Sequence, residues 1–589
     1  MHMTVPCCFR CSFGTKALSG IKPAVGLVFC LVIGVVLPWN VQGAMNQTDE
    51  LTVLSLSLSD RIEQEIRSRL WNGRFTCQEE LICGIKLLPS FYAEHGYRPV
   101  WGLDRADWDV AENMLECIQK SARQAMDPSD YHLRILQRML GSLKGQWPSL
   151  EPRDTADTEI LLTDAFFTLA GHLRAGRVNP ETLHPSWVAY AHAPNLIGAL
   201  DRALQKTSVH KELMAQLPPH AGYHRLRRGW ERYVHLAHVG GWIQIPPGKN
   251  LQVGDQSERV QALKHRLRGT NDLLTDVNGT SHSVFTPDVE DAVKRFQNRH
   301  GLRVDGVVGS KTLAALNVSA KDRAGQMALN MERWRWIPRD LGLPHVRVNV
   351  ADFGMVFEHK NGTAMRQRVI VGKTARRTPV FSDQITYIVL NPAWNVPRSI
   401  MIKDILPKVM EDPGYLQEHS ITLLSGWGDQ AEQIDPQSIE WENVDPESFP
   451  YRMRQEPGPY NALGQMKFMF PNPFAVYLHD TPNKTLFHRM TRDFSSGCIR
   501  VEHPLHLAQA LLAPTQTWDA ASLRAVIQSG QTRIIRLPQP VPVHLFYWTS
   551  WVDESGQTHF RQDIYNRDAK LQTALNRRLS VVRKDVQNQ

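Results

Sequence analysis

The sequence has no long hydrophobic run. Its most apolar stretch, residues 24–37, counts 14 residues, whereas a membrane-spanning helix needs about 20; a multispan membrane protein is excluded. Basic segments interleaved with aromatics, the pattern that grips nucleic acid, are also missing. The net charge of +8 is thinly spread over 589 residues and at most favours approach to an anionic surface. Cysteine is scarce: beyond Cys7, Cys8, Cys11 and Cys30 near the N-terminus, the chain has Cys77, Cys83, Cys117 and Cys498. No second pair follows Cys7-Cys8-Cys11 at ligand spacing, so the chain does not read as a zinc protein. Neither metal nor cofactor is expected. Residues 45–250 hold no acid and base pair fit for catalysis.

The N-terminus carries a targeting pattern instead. Arg10, Lys16 and Lys22 precede the apolar run, Pro38 breaks it, and Val41-Gln42-Gly43-Ala44 offers small residues for cleavage. Residues 1–44 therefore read as a signal peptide, or as an uncleaved anchor with Trp39 at the interface. Either places the remaining chain outside the cytoplasm. In an oxidising compartment Cys77 and Cys83 are near enough in sequence to join, but spacing alone does not supply the geometry.

Three regions differ in pattern. Residues 45–251 read as mostly helical, with amphipathic segments over 108–118 and 159–173. Cys117 shares a helical face with Val110 and Met114 and reads as core. Residues 252–318 form a small module: Val260, Leu263 and Leu267 make one helical stripe, and Val289, Ala292, Val293 and Phe296 a second. Thr286-Pro287 opens the second helix, Gly301 closes it, and Ser310 caps a third. From 319 the chain turns to strands, over 346–350, 366–371, 385–390 and 475–478, with a polar, proline-bearing insertion at about 400–452.

The strand-rich region holds the strongest chemical signal. His479 precedes Ser495-Ser496-Gly497-Cys498-Ile499-Arg500. A cysteine attacks as thiolate, and a nearby imidazole takes its proton near neutral pH. Gly497 permits a tight turn that presents N–H groups to an oxyanion. Tyr477 and His479, two apart, project to the same side of a strand, which makes the Tyr477 hydroxyl a candidate for a further oxyanion donor if it faces the cleft.

This segment, Val476-Tyr477-Leu478-His479-Asp480-Thr481-Pro482 with Ser495-Ser496-Gly497-Cys498-Ile499-Arg500-Val501, resembles the signature of L,D-transpeptidases with a YkuD-type catalytic domain. Asn461-Ala462-Leu463-Gly464, Lys467-Phe468-Met469-Phe470-Pro471-Asn472 and Asn391-Pro392-Ala393-Trp394-Asn395 resemble the large, multidomain YcbB-like branch. So do the 91–101 aromatic run, which we read as packing rather than sugar binding, and Trp548, Trp551 and Asp563-Ile564-Tyr565 at the C-terminus. Ala292-Val293-Lys294-Arg295-Phe296-Gln297 with Asp305-Gly306-Val307-Val308-Gly309 resembles the three-helix peptidoglycan-binding module, whether it binds glycan or serves as a spacer.

The resemblance implies a multidomain α+β protein. It would have a helical scaffold domain (45–251), the binding module (252–318), and a mixed-β sandwich catalytic domain (319–536) with a capping subdomain. A C-terminal extension (537–589) would pack on the catalytic domain. It implies Cys498 as nucleophile and His479 as base, an acyl-enzyme formed on the third residue of a wall stem tetrapeptide with release of D-Ala, and transfer to a meso-diaminopimelate amine as a 3-3 cross-link. Many members have His where Ser496 stands; serine is no base at neutral pH, so proton transfer falls on His479. Trp394 would line the donor site or simply pack. Arg500 would hold a carboxylate or brace the loop, and Asp480 is a weaker candidate for orienting His479. The implied partners are stem peptides and glycan strands in the periplasm, with wall synthases left open and membrane contact only through an uncleaved N-terminus. A thiol L,D-carboxypeptidase or cross-link endopeptidase shares the same acyl-enzyme. The intact His479 and Cys498 argue against a noncatalytic scaffold.

Overall fold

We describe the fold from a computed structural model covering residues 57–70, 76–189, 195–206, 208–274, 283–428 and 430–577. The expected targeting segment, residues 1–44, lies outside these. No helix among the described residues is long and apolar enough to cross a membrane. The chain divides into two units, one drawn from Met1–Glu116, Ser129–Thr168 and Asn195–His210, the other from Cys117–Pro128, Leu169–Pro194 and Lys211–Gln589.

In the first unit the aromatic run turns inward as core, with Phe91, Tyr92 and Trp101 fully buried. Helix Pro152–Ala175 buries polar as well as apolar side chains there. Burial demands partners for such groups: Glu159 accepts from the Val100 and Trp101 N–H groups at 3.0 and 3.1 Å, and Thr163 from the Trp101 indole at 2.9 Å. His132 sits between Asp164 (2.8 Å) and Glu80 (3.3 Å). Burial pushes its imidazole down, but the hydrogen bonds to Asp164 and Glu80 outweigh that and carry it up to about 9. Cys77 and Cys83 are not joined in a disulfide. Cys77 points at the Asp157 carbonyl, 3.7 Å away, while the Cys83 backbone is fixed by Asp164.

Helix Ala221–His238 belongs to the second unit, where it packs along helix Ala320–Arg335. Gly222 allows the close approach, since a Cβ there would meet Trp334 at 2.7 Å. The Arg335 guanidinium donates to the Tyr223 hydroxyl across it.

The module contains the expected helices, Glu258–Arg268, Pro287–Arg299 and Ser310–Leu316, around fully buried Val260, Leu263, Leu267, Val289, Ala292, Val293 and Phe296. The third helix is capped by Gly309 rather than Ser310, with no side-chain cap. Gln297 clamps the turn before it: its amide donates to Asp305 and the Val307 carbonyl and accepts from the Asp305 and Gly306 N–H groups. Arg299 pairs through two bonds with Asp272, and both are buried. The C-terminal hairpin Ser550–Val552/Thr558–Phe560 abuts this module, with His300 stacked on Phe560 and Arg561 donating to the Arg299 carbonyl at 2.9 Å.

The catalytic region is one mixed sheet of nine strands: β1 (His345–Asn349), β2 (Gly354–Glu358), β3 (Ala364–Gly372), β4 (Phe381–Leu390), β5 (Met466–Met469), β6 (Leu478–His479), β7 (Asp493–Ser495), β8 (Ile499–Val501) and β9 (Arg533–Phe546). Their order is β7-β3-β8-β6-β5-β4-β9-β1-β2, and a further β2–β3 pairing closes the ladder on itself. The walls of the expected sandwich are thus continuous, and closure removes all exposed edges but that of β7. Val346, Val348, Ile388, Phe468, Leu478, Ile499 and Val543 fill the interior.

β9 runs through the expected 536/537 break, pairing with β4 on one side and β1 on the other. Pro538, Pro540 and Pro542 argue against a central strand; the first two fall within a register shift between Arg536 and Val541, and Pro542 lies in the ladder opposite Gln384. The strand read over 475–478 is only Leu478–His479, because Ala475 takes a positive φ of 51°. In and around the expected insertion at about 400–452, Trp394–Asn395, Arg452–Gln455, Ile421–Leu424 and Gln433–Ile434 form their own sheet, above a separate core that includes Val396, Leu406, Leu423 and Met453.

Candidate active site

Strand register assembles the site. β6 and β8 run parallel with Leu478 opposite Ile499 and His479 opposite Arg500. Leu478 and Ile499 point into the core, so the alternate residues Tyr477, His479, Cys498 and Arg500 share the outer face. On β5, Lys467 lies opposite His479. The Tyr477 and His479 rings are 5.6 Å apart.

Around the sulfur the contacts are specific. Tyr477 approaches Cys498 with its backbone N–H and its hydroxyl, and the same hydroxyl meets Trp394. Burial pushes the Cys498 thiol up; Tyr477, Lys467 and Arg500 oppose that without cancelling it. The resting sulfur is therefore a thiol, 3.8 Å from the Ala475 carbonyl. Burial, and after it the charge of Arg500, drives His479 down to about 3, with Lys467 adding to the effect and backbone groups of Asp480 and Leu463 opposing it. The imidazole is neutral at neutral pH, which a base must be. Its buried Nδ1 has no hydrogen-bond partner.

The nucleophile loop is held from below. Gly497 adopts φ +123°, which favours glycine. Its carbonyl accepts from Thr378 Oγ1 at 2.9 Å. Ser495 Oγ donates to the Cys498 carbonyl and accepts from the Gly497 N–H at 3.1 Å. Gly372 makes room for the 376–378 turn, since a Cβ there would meet the Arg376 carbonyl at 2.1 Å.

The Gly497 N–H, expected to face an oxyanion, donates to Ser495 Oγ. Ser496 is exposed and accepts from Arg376 at 2.9 Å, and Arg376 also pairs with Asp404 of the insertion. Asp480 does not hold His479; its carboxylate binds the Gln465 N–H (2.9 Å) and Lys484. Arg500 makes no hydrogen bond to the loop among the described residues, and its buried Nε is unpartnered. Trp394 touches Tyr477 while packing on the insertion's core. Sequence reasoning missed Lys467, Ser495, Arg376 and Asp404. The alternation of Met466 and Phe468 with Lys467 was the available signal for the first.

Residues 344–532 match the family described as "L,D-transpeptidase catalytic domain". The chain carries an L,D-transpeptidase catalytic domain of the YkuD family. Residues 256–316 match "Putative peptidoglycan binding domain" and residues 86–229 "Scaffold domain". A Haemophilus influenzae protein named "Putative L,D-transpeptidase" is 38% identical over 249 residues, 42% of this chain and 49% of that protein. The chain thus spans about half the length of that curated relative. Solved L,D-transpeptidases from Stackebrandtia nassauensis and Xylanimonas cellulosilytica align with 51% of this chain and 97% and 99% of theirs, at 13% and 14% identity and TM-scores of 0.20 and 0.14.

Proposed function

We propose that this protein is a peptidoglycan L,D-transpeptidase that forms 3-3 cross-links outside the cytoplasm. The observation that carries the reading is the single outer face that holds Cys498, Tyr477 and His479, roofed by Trp394. Cys498 transfers its proton to neutral His479 as the sulfur attacks the carbonyl of residue 3 of a stem tetrapeptide. The C–N bond to D-Ala breaks, the leaving amine takes the proton, and a thioester remains. An amine, that of meso-diaminopimelate on a neighbouring stem, then attacks the thioester and restores the thiol. With the Gly497 N–H occupied, the Cys498 N–H and the Tyr477 hydroxyl are the donors for the oxyanion. The peptidoglycan-binding module supports wall glycan as partner, and the insertion acts as a lid.

Purified protein incubated with tetrapeptide muropeptides should release D-Ala and yield cross-linked dimers. Tripeptide products alone would replace transfer with hydrolysis; no D-Ala release would reject both. A carbapenem should add one drug mass at Cys498, and Cys498→Ala should lose the adduct.

A further inference from the structure

At two places the insertion reaches the groups around Cys498. One is Trp394, which packs on the insertion's own core and hydrogen-bonds the Tyr477 hydroxyl. An indole N–H only donates, so the Tyr477 oxygen accepts from it and turns its own proton to its other neighbour, the Cys498 sulfur. The second is Asp404, whose carboxylate pairs with Arg376 and lies 3.8 Å from Lys373. Among the described residues no other ion pair ties the insertion to the sheet or its turns.

Both ends of this second link are anchored. Lys373 and Arg376 belong to the turn after β3, which grips the nucleophile loop at three successive residues. The Lys373 N–H donates to the Ser495 carbonyl, the Arg376 guanidinium to Ser496 Oγ, and Thr378 Oγ1 to the Gly497 carbonyl, each at 2.9 Å. The Arg376 nitrogen that meets Ser496 is the one that pairs with Asp404. On the insertion side Asp404 lies in a π-helical turn, Met401–Ile405, whose Met401 and Ile405 are buried in the insertion's core; such turns recur at functional sites. A half-buried pair of this kind adds little to folding stability. Its effect falls on where a movable part rests, because a body held at Trp394 alone can pivot and one held at two points cannot.

We propose that Arg376 is a positioning residue that acts through Asp404 to hold the insertion, and with it Trp394, over Tyr477 and Cys498. With the pair made, Trp394 keeps the Tyr477 proton aimed at the sulfur and the insertion covers the thiol. With the pair broken, the insertion pivots, the thiol opens to larger molecules and Tyr477 loses its orientation. The consequence for turnover rests on the acyl-transfer reading given above; the hold on the insertion does not.

The first test needs no turnover. Cys498 in the full chain is alkylated with N-ethylmaleimide or N-(1-pyrenyl)maleimide, two uncharged reagents of one chemistry and different size, and followed by mass at the Cys498 peptide. The rate ratio of large to small reagent should rise about three- to fivefold in Asp404→Asn and in Arg376→Met, and the double variant should go no further than either single one. In wild type the ratio should also rise between about 0.01 and 1 M salt, as the screening length falls from about 30 to 3 Å; in Asp404→Asn it should stay flat. Thermal midpoints establish that each variant is folded. Unchanged ratios in the folded single variants would overturn the proposal, as would additive effects in the double variant or an equal salt response in Asp404→Asn.

The second test is D-Ala release from the tetrapeptide donor. Loss of the pair should lower kcat about three- to fivefold with KM little changed, because the oriented Tyr477 proton serves the transition state rather than binding. A loss confined to KM would overturn the positioning role. The expected shift in alkylation ratio with no D-Ala release by wild type would sustain the hold on the insertion and reject the acyl-transfer reading instead.

Discussion

Two histidines, His132 in the first unit and His479 in the catalytic ring, are equally withdrawn from water, each 4% exposed. Their surroundings make them opposites. His132 lies between two carboxylates and is carried up to about 9; His479 lies between two cations and falls to about 3. Burial alone disfavours the charged form in both. The difference comes from the neighbours, and it separates a histidine that holds structure as a cation from one kept neutral to accept a proton.

The comparison is sharpest at the nucleophile. Cys498→Ala should abolish cross-linking and the drug adduct while leaving the thermal midpoint nearly unchanged, since the sulfur's role is chemical. His479→Ala should follow, slowing acylation about 10²-fold or more with the fold kept. If its loss cost stability rather than rate, the two histidines would be the same kind of residue.

At the other pole, Asp164→Asn should destabilise the first unit by about 3 kcal/mol or more in urea unfolding, because it leaves a buried charged group short of its partner. The thiol chemistry of Cys498 should be unaffected. The pH sign follows from the raised value: His132 contributes fully below its unfolded value of about 6.5 and loses that contribution as pH climbs through 9. Unfolding of the wild type from pH 6 to 9.5 should show the decline, and Asp164→Asn should flatten it.

Alkylation of Cys498 by iodoacetamide should be slow at pH 7 and climb about tenfold per pH unit to beyond pH 9, since the thiol is raised and only thiolate reacts. A wave near pH 6.5 would mean that His479 titrates in the ordinary range, against its assignment. Replacing Ser496 with alanine should have the smallest effect, a change in rate below about threefold, because its hydroxyl serves Arg376 rather than the sulfur.

Much of the site could be read from residues close together in the chain. Period-two alternation places Tyr477 and His479 on one side, and Gly497 before Cys498 marks a turn at the nucleophile. The module was legible for the same reason: the stripes at Val260, Leu263 and Leu267 and at Val289, Ala292, Val293 and Phe296 are local, and all seven residues are fully buried. β9 was not legible, because its three prolines contradict a central strand and only pairing with β4 and β1 holds it there. The 221–238 helix could not be assigned to its unit from periodicity, which shows that a face is apolar and not what covers it.

The sequence by itself determined the chemistry available: one thiol with a glycine before it, one imidazole able to serve it, and the apolar periods that make a binding module and a strand-rich domain. These follow from side-chain chemistry and from spacings of a few residues. Tertiary structure decided which charges meet that chemistry. Lys467 and Arg500 reach His479 only through the register of three strands, and the Gly497 N–H is taken by Ser495 only through the local turn. Electrostatic energy depends on distance and dielectric, and both are properties of the folded chain.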